Sequence, residues 1–585
     1  MSCDKLVFDL SQEVEGSPSV FVKKDWISIL DNQNGQYSAN QSVIDTSQLS
    51  NSNKYMSYRE AYLMMPMLLT VASGNTSTTG FLPFTAGTSS DYAFGLKNWF
   101  GQMIHSFTLD YNGTTIVQQT PFINMWNSFK LMTTLSWADV ATIGSSIGFY
   151  PDDPLAWTLS GASTSGSGTC NNSNTAVSGG TTGAVTGALN AYSSGVGNVG
   201  FLKRQQYINF DELGVPVVSA GATTYGGLLA ANASSQLWKS YIVKKADSTA
   251  SLSGVFQISI TATIYLKHIH SFFQQVPLLK GVFMKMTMNL NNTTVKFTQA
   301  SAGAVLTLVS VSNAVGGVCP LMIASAATNN GAAAIVGAAG MTAGTIANIC
   351  VGGTCFSSDL PSTAASVITT GASRNILLYC PAYTFNPTFE SAYLSSPIKS
   401  IKYTDVYQYQ IPAIASGGNF NQLITNGIAN IKSVLVMPFY TGTAVNTGMP
   451  IALPVYQSPF DPAGTGPTSP LCPITNFNVV VSGQNMLYNT ERYLFEHFNN
   501  QLLGVNAVNG GLTDGLTSSL ISSLGFEMEY SYYYVDVSRM LPVEETVPKS
   551  VQIIGQNLSG RTVDYMVFVE YGVSVDLDIL TGARV

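Results

Sequence analysis

Charge is what this 585-residue sequence has least of: Asp, Glu, Lys and Arg together make up 10%, where about 25% is usual. Hydrophobic residues stand at an ordinary 45%. The shortage therefore does not signal disorder, which combines few apolar residues with much charge. Gly, Ser, Thr, Asn and Ala take the place of the missing charges, a mixture that suits an all-β chain with long neutral loops. Weakly charged surfaces also cost less to desolvate against copies of themselves. The charges present sum to −7, and basic residues adjoin only in pairs, as at Lys23-Lys24, Lys203-Arg204 and Lys244-Lys245. Neutralising phosphates needs clustered cations, so a direct nucleic-acid-binding surface is excluded as the main role.

Cysteine and histidine are scarce as well. Seven cysteines lie at Cys3, Cys170, Cys319, Cys350, Cys355, Cys380 and Cys472, with no CxxC pair. The expectation is a set of reduced thiols in a cytosolically made protein, with pairing of Cys350 and Cys355 left open. Met1–Pro18 lacks the basic start and apolar run of a signal peptide. The sequons at Asn112 and Asn232 accordingly read as chance. No long run of large apolar residues is present: the best window, Ala332–Val351, consists mainly of Gly, Ala and Thr and would insert poorly into a bilayer.

What is present is strand. Val255–Leu266, Gly525–Val537 and Val563–Tyr571 are β-branched or aromatic and largely alternating, which places one row of side chains on a core. Helices are expected at Ile116–Leu131 and Asn485–Leu503, from apolar residues at helical spacing. Two uncharged segments, Pro154–Leu202 and Phe297–Ser358, read as large loops inserted between strands and packed on neighbours. The second holds more Val, Ile and Ala than a solvated linker would.

The chain also repeats itself. FTLDYNG (Phe107–Gly113) aligns without a gap with FNVVVSG (Phe477–Gly483), and each leads into a helical pattern. Tyr62–Pro66 aligns with Val434–Pro438, and Ile27–Asp31 with Ile401–Asp405. Three pairs in one order at nearly one offset indicate a duplicated domain. The copies divide near Phe389–Pro397, giving 1–390 and 391–585, with both uncharged segments (about 154–202 and 297–358) in the first. Many short strands with long loops fit a sandwich of two antiparallel sheets in jelly-roll order, better than an immunoglobulin-like sandwich.

Specific blocks resemble a known family. FVKKDWISILDNQNGQY (Phe21–Tyr37), NKYMSYREAY (Asn53–Tyr62), LYCPAYTFNP (Leu378–Pro387) and IKSIKYTDVY (Ile398–Tyr407) are similar to the major capsid proteins of polinton-like viruses and virophages, in the adenovirus-like capsid lineage. The resemblance implies an all-β double jelly roll, two tandem eight-stranded antiparallel units with a few short helices. It implies a homotrimeric, pseudo-hexameric capsomer that tiles an icosahedral shell beside penton and minor or cement proteins. It also implies a virion location after synthesis in an infected, eukaryotic host cell, with contact to a membrane left open. The first copy here is about twice as long as the second because of its inserted segments.

Motifs for chemistry are weak. Gly144–Gly148 matches Gly-x-Ser-x-Gly, but Phe149–Pro154 cannot form the helix that a nucleophile elbow needs. His268 and His270 lie two apart on an expected strand end, facing one way, without a third zinc ligand; His105 and His497 are remote. Asp152-Asp153 lacks a calcium-loop pattern, and no nucleotide motif is present. Tyr530–Tyr534 reads as cross-strand packing or interface, not base stacking, for want of neighbouring cations. The expectation is no catalytic residue, no cofactor and no metal. A surface adhesin or carbohydrate-binding tandem β-sandwich is the alternative, although it would call for an export signal. A glycoside-processing enzyme ranks behind it, because acids are sparse in the loops.

Overall fold

A computed structural model describes residues 19–585 apart from 82–90, 152–198, 210–240, 245–254, 300–305, 326–344, 353–373, 442–453, 460–467, 507–519 and some shorter stretches. Sixteen strands form its framework, in two sets of eight. The first set is β1 (Phe21–Leu30), β2 (Gln41–Asp45), β3 (Tyr62–Ser73), β4 (Ile104–Tyr111), β5 (Thr114–Val117), β6 (Val255–Tyr265), β7 (Met284–Leu290) and β8 (Leu377–Phe385). The second is β9 (Ile398–Ile414), β10 (Asn419–Ile428), β11 (Ile431–Tyr440), β12 (Ile474–Val481), β13 (Gln484–Asn485), β14 (Tyr533–Asp536), β15 (Lys549–Asn557) and β16 (Val563–Asp578).

Pairing is antiparallel throughout, and the order is the same in both sets. Strands β1-β8-β3-β6 form one sheet and β2-β7-β4-β5 the facing one; β9-β16-β11-β14 and β10-β15-β12-β13 repeat this order eight strands later. That order is the jelly roll, and the fold is two of them in tandem. Alternation drives the first sandwich: Ile29, Leu63, Leu378 and Ile264 turn inward and are at most 1% exposed.

The paired sequence blocks fall on matching strands: Ile27–Asp31 and Ile401–Asp405 bear on β1 and β9, and the blocks at Phe107 and Phe477 on β4 and β12. Each of the latter ends in a glycine of positive φ, +81° at Gly113 and +82° at Gly483, a conformation that side chains disfavour and that closes the tight turn. The third pair is out of phase. Val434 and Val436 pair with Val569 and Val567 and share the inward side of Tyr565, which packs on Phe420 of the opposite sheet. Tyr62 and Met64 point outward, so the true correspondence is shifted by one residue, which exchanges the two faces.

Three local expectations change. The helices include α1 (Ile123–Thr134), α2 (Trp137–Ile147), α3 (Pro387–Leu394), α4 (Phe495–Asn506) and α5 (Ser523–Met528); a further one spans Val199–Arg204, with a few shorter turns. So α1 and α4 start later than expected, because the chain first continues as strand β5 to Val117 and β13 to Asn485. The expected strand at Gly525–Val537 opens as helix α5, where Ser522 accepts from Gly525 N–H and Phe526 stacks on Phe498. The uncharged segment from Phe297 is not simply loop: Leu306–Asn313, Leu321–Ser325 and Thr345–Val351 are strands. Thr345–Val351 extends the first sheet by pairing with β3 beyond the reach of β8. Branched apolar residues at alternating positions let it be covered on both sides. Most of the other uncharged segment, residues 154–198, lies outside the described residues.

Candidate functional site

The two jelly rolls meet along a seam built mainly by the stretch of chain between β5 and the end of α1. Five residues beyond Gly113, the Gln118 N–H donates to Asp405 (3.4 Å), the Tyr403 hydroxyl donates to Ile116 O, and Thr120 Oγ1 donates to Val406 O (2.7 Å). The turn after β5 is thereby stitched to β9. Helix α1 then lies over the outer face of the β9-β16-β11-β14 sheet. Its Trp126 packs on Phe568 (ring centroids 6.0 Å apart) and its Phe129 stacks on Tyr534 (5.6 Å). Lys130 reaches Glu570 at 3.4 Å, and Ser433 donates to the same carboxylate at 2.8 Å. Burial pushes the Glu570 carboxyl up, but the Lys130 charge and the Ser433 hydroxyl outweigh it and hold the group below its ordinary value.

His268 and His270 stand not on a strand end but on a short helical turn, Leu266–Ile269, and its cap. They therefore diverge. His270 faces Asp405 at 3.3 Å across the seam, while its Nδ1 accepts from Phe272 N–H. His268 packs edge-on to Trp99 and Tyr265. Among the described residues no three His, Cys, Asp or Glu side chains gather as a metal site would require. A cavity of about 160 Å³ lies between His268, His270, Lys130 and Thr404.

The remaining motifs take structural places. Ser146 of the Gly-x-Ser-x-Gly match lies in α2, which ends on Gly148, so the strand–turn–helix of a nucleophile elbow is not formed there. Tyr530, Tyr532, Tyr533 and Tyr534 are all buried. Asp152-Asp153 lies outside the described residues, as do Cys3, Cys170 and Cys355. Cys319, Cys380 and Cys472 are free and buried, whereas Cys350, whose pairing the sequence left open, is disulfide-bonded. The described residues include no helix long and apolar enough to cross a membrane.

Exposed apolar side chains concentrate on the first sheet. Among the described residues strand β1 pairs only with β8 and is an edge, and Trp26 (52% exposed) and Leu30 (54%) project from it on one side. Trp26 begins an aromatic row across the sheet, lying 5.8 Å from Tyr62, which stacks on Tyr379 at 5.2 Å and meets Tyr265 at 5.7 Å. Among the described residues of the second jelly roll the most exposed large hydrophobic side chain is Tyr488, fully exposed just after β13. Composition hinted at such surfaces but could not place them, since exposure depends on which sheet face is covered.

No family model matches this sequence, and no curated protein matches it. Solved structures do. A chain of the Sputnik virophage structure determined by cryo-EM is similar over 98% of this chain and 90% of its own, at 10% identity and a TM-score of 0.47. The mavirus major capsid protein is similar over 98% and 92%, at 10% identity and 0.40. The Faustovirus major capsid protein is similar over 98% and 94%, at 9% identity and 0.42.

Proposed function

We propose that this chain is the major subunit of an icosahedral viral shell, and that three copies form a capsomer of pseudo-hexagonal outline. The observation that carries this reading is the repetition of one strand order in two jelly rolls packed side by side in a single chain. Two similar units per chain let three chains imitate six, which suits hexagonal positions of a closed lattice. The low charge of the surface supports it, since many neutral interfaces can be buried at little desolvation cost. We divide the chain at residue 390, within α3, into units 1–390 and 391–585.

On this reading the chain works by self-association and performs no chemistry. Its partners are copies of itself, a penton protein at the five-fold vertices where hexagonal tiles cannot close, and minor or cement proteins between capsomers. Its place is the virion.

The deciding experiment is the solution mass by light scattering after size exclusion. The expected result is a species at three times 62.2 kDa, or larger particles that image as shells. A clean monomer at high concentration would overturn the reading and favour a tandem β-sandwich adhesin.

A further inference from the structure

The two outer sheet faces of this chain are treated differently. On the second jelly roll the outward side chains Leu435, Met437, Met566, Phe568 and Tyr534 are none of them more than 1% exposed. The chain's own first jelly roll contributes to that cover, since Trp126 and Phe129 of α1 reach Phe568 and Tyr534. On the first jelly roll the matching side of the sheet carries Trp26, Tyr62, Met64, Tyr265, Leu377 and Tyr379, all half-buried or exposed. An aromatic row open on one side is unusual for a subunit at rest, because large apolar patches mark contact surfaces.

The seam also shows which element covers such a face. It begins within a few residues of the turn glycine Gly113, where Ile116 accepts from Tyr403, and continues five residues after it, where Gln118 meets β9. Five residues after the corresponding glycine, Gly483, stands Tyr488, fully exposed. The second jelly roll thus presents an unused apolar side chain at the position from which the first grips its neighbour. Strand β1, which holds the place of β9 in the first jelly roll, presents the unused apolar face.

We infer that the intrachain seam is repeated between copies: Tyr488, just after β13, in one copy docks on β1 and the aromatic row of another copy's first jelly roll. The contact is head-to-tail, joining two different surfaces, so it generates a closed ring or an open filament. Alternating seams within and between chains bring six jelly rolls into a ring of three copies. The inference rests on the trimer reading above and assigns the surfaces that make it. Lys267, over Tyr265 at 5.4 Å, flanks the row, whereas Lys24 beside Trp26 is already paired with Glu60. Glu496 of α4 and Glu527 of α5 are exposed on the second jelly roll, a complementary sign for the same approach.

Three variants and a cross-linker test this on the full chain. Trp26→Glu and Tyr488→Glu, on opposite sides of the proposed contact, should each raise the concentration needed for trimer by about thirtyfold or more, as loss of a central aromatic anchor does. Circular dichroism and melting should stay those of a folded subunit. Leu423→Glu, on exposed β10 outside this contact, should leave the trimer mass unchanged. A benzophenone amino acid in place of Tyr488 should, on illumination, join two chains, with the linked peptide drawn from Phe21–Leu30. A wild-type trimer that survives both glutamate variants, or a cross-link that lands elsewhere, overturns the docking surface and leaves the trimer standing. A wild-type protein that never exceeds one chain in mass overturns both.

Discussion

His105 and His268 make this protein sensitive to mild acid. Each has its Nδ1 buried without a hydrogen-bond partner among the described residues. Burial lowers both from the usual 6.5 to about 4, helped at His268 by the neighbouring Lys267 charge. The unfolded chain therefore takes up these protons first. The stability they contribute is complete above pH 6.5 and is lost as pH falls toward 4, by up to about 3 kcal/mol for each residue. Melting temperature should drop steeply over that interval, and His105→Leu should flatten part of the drop. An unchanged pH profile in His105→Leu would show that this imidazole is not held neutral by its burial. The sequence offered four histidines without distinguishing them. Spacing suggested that His268 and His270 point one way, and only the helical turn at Leu266–Ile269 separates the orphaned ring from the one that meets Asp405.

At the scale of elements, α1 is the piece on which the two jelly rolls depend. Phe129 is fully buried between Tyr532 and Tyr534, and Phe129→Ala should cost about 3–5 kcal/mol through lost contact and the cavity left behind. Denaturant unfolding measures this, and a loss below about 1 kcal/mol would mean that the seam collapses around the gap. Lys130→Met leaves Glu570 buried without its cation and should cost about 2 kcal/mol, less than a fully enclosed pair because Lys130 is partly in water. Adding Glu570→Gln should recover much of that loss, which a double-mutant cycle reads directly. The apolar spacing that announced a helix after Gly113 was a sound signal, but its start was not legible. Residues up to Val117 satisfy their backbone groups by pairing with β4, and this pairing overrides helical spacing. The same competition turns Gly525–Met528 into α5, where contact with Phe498 outweighs an alternating pattern.

For the molecule as a whole, the scarcity of charge has a direct consequence for assembly. The open face of the first sheet is aromatic and aliphatic, and ion pairs such as Lys24–Glu60 (2.7 Å) and Lys54–Asp25 (2.5 Å) are made within the chain. Association through such a face should survive screening. If the chain forms the proposed trimer, its mass is expected to persist from about 0.05 M to about 1 M NaCl, where the Debye length shrinks to about 3 Å. Dissociation at high salt would instead mark the contacts as ionic. The order of strand pairing also matters at this scale: β1 pairs with β8, and β9 with β16, so each sandwich closes only when its first and last strands meet. Closure over such separations is slow, as in other folds dominated by non-local pairing.

The sequence by itself determined the class of the fold, the duplication and the neutral surface, because these depend on composition and on signals that act within a few residues. Alternation makes strands, a glycine able to take positive φ closes the turns at Gly113 and Gly483, and the paired blocks mark strands that hold the same place in each jelly roll. The tertiary structure alone decided which side of β3 and β11 faces the core, where α1 and α4 begin, and that inserted segments add strands to the first sheet. It alone decided that α1 covers one outer face while the aromatic row at Trp26 stays open. Each of these turns on contacts between residues far apart in sequence, such as Trp126 with Phe568. Their free energy comes from burial that no local stretch of sequence can express.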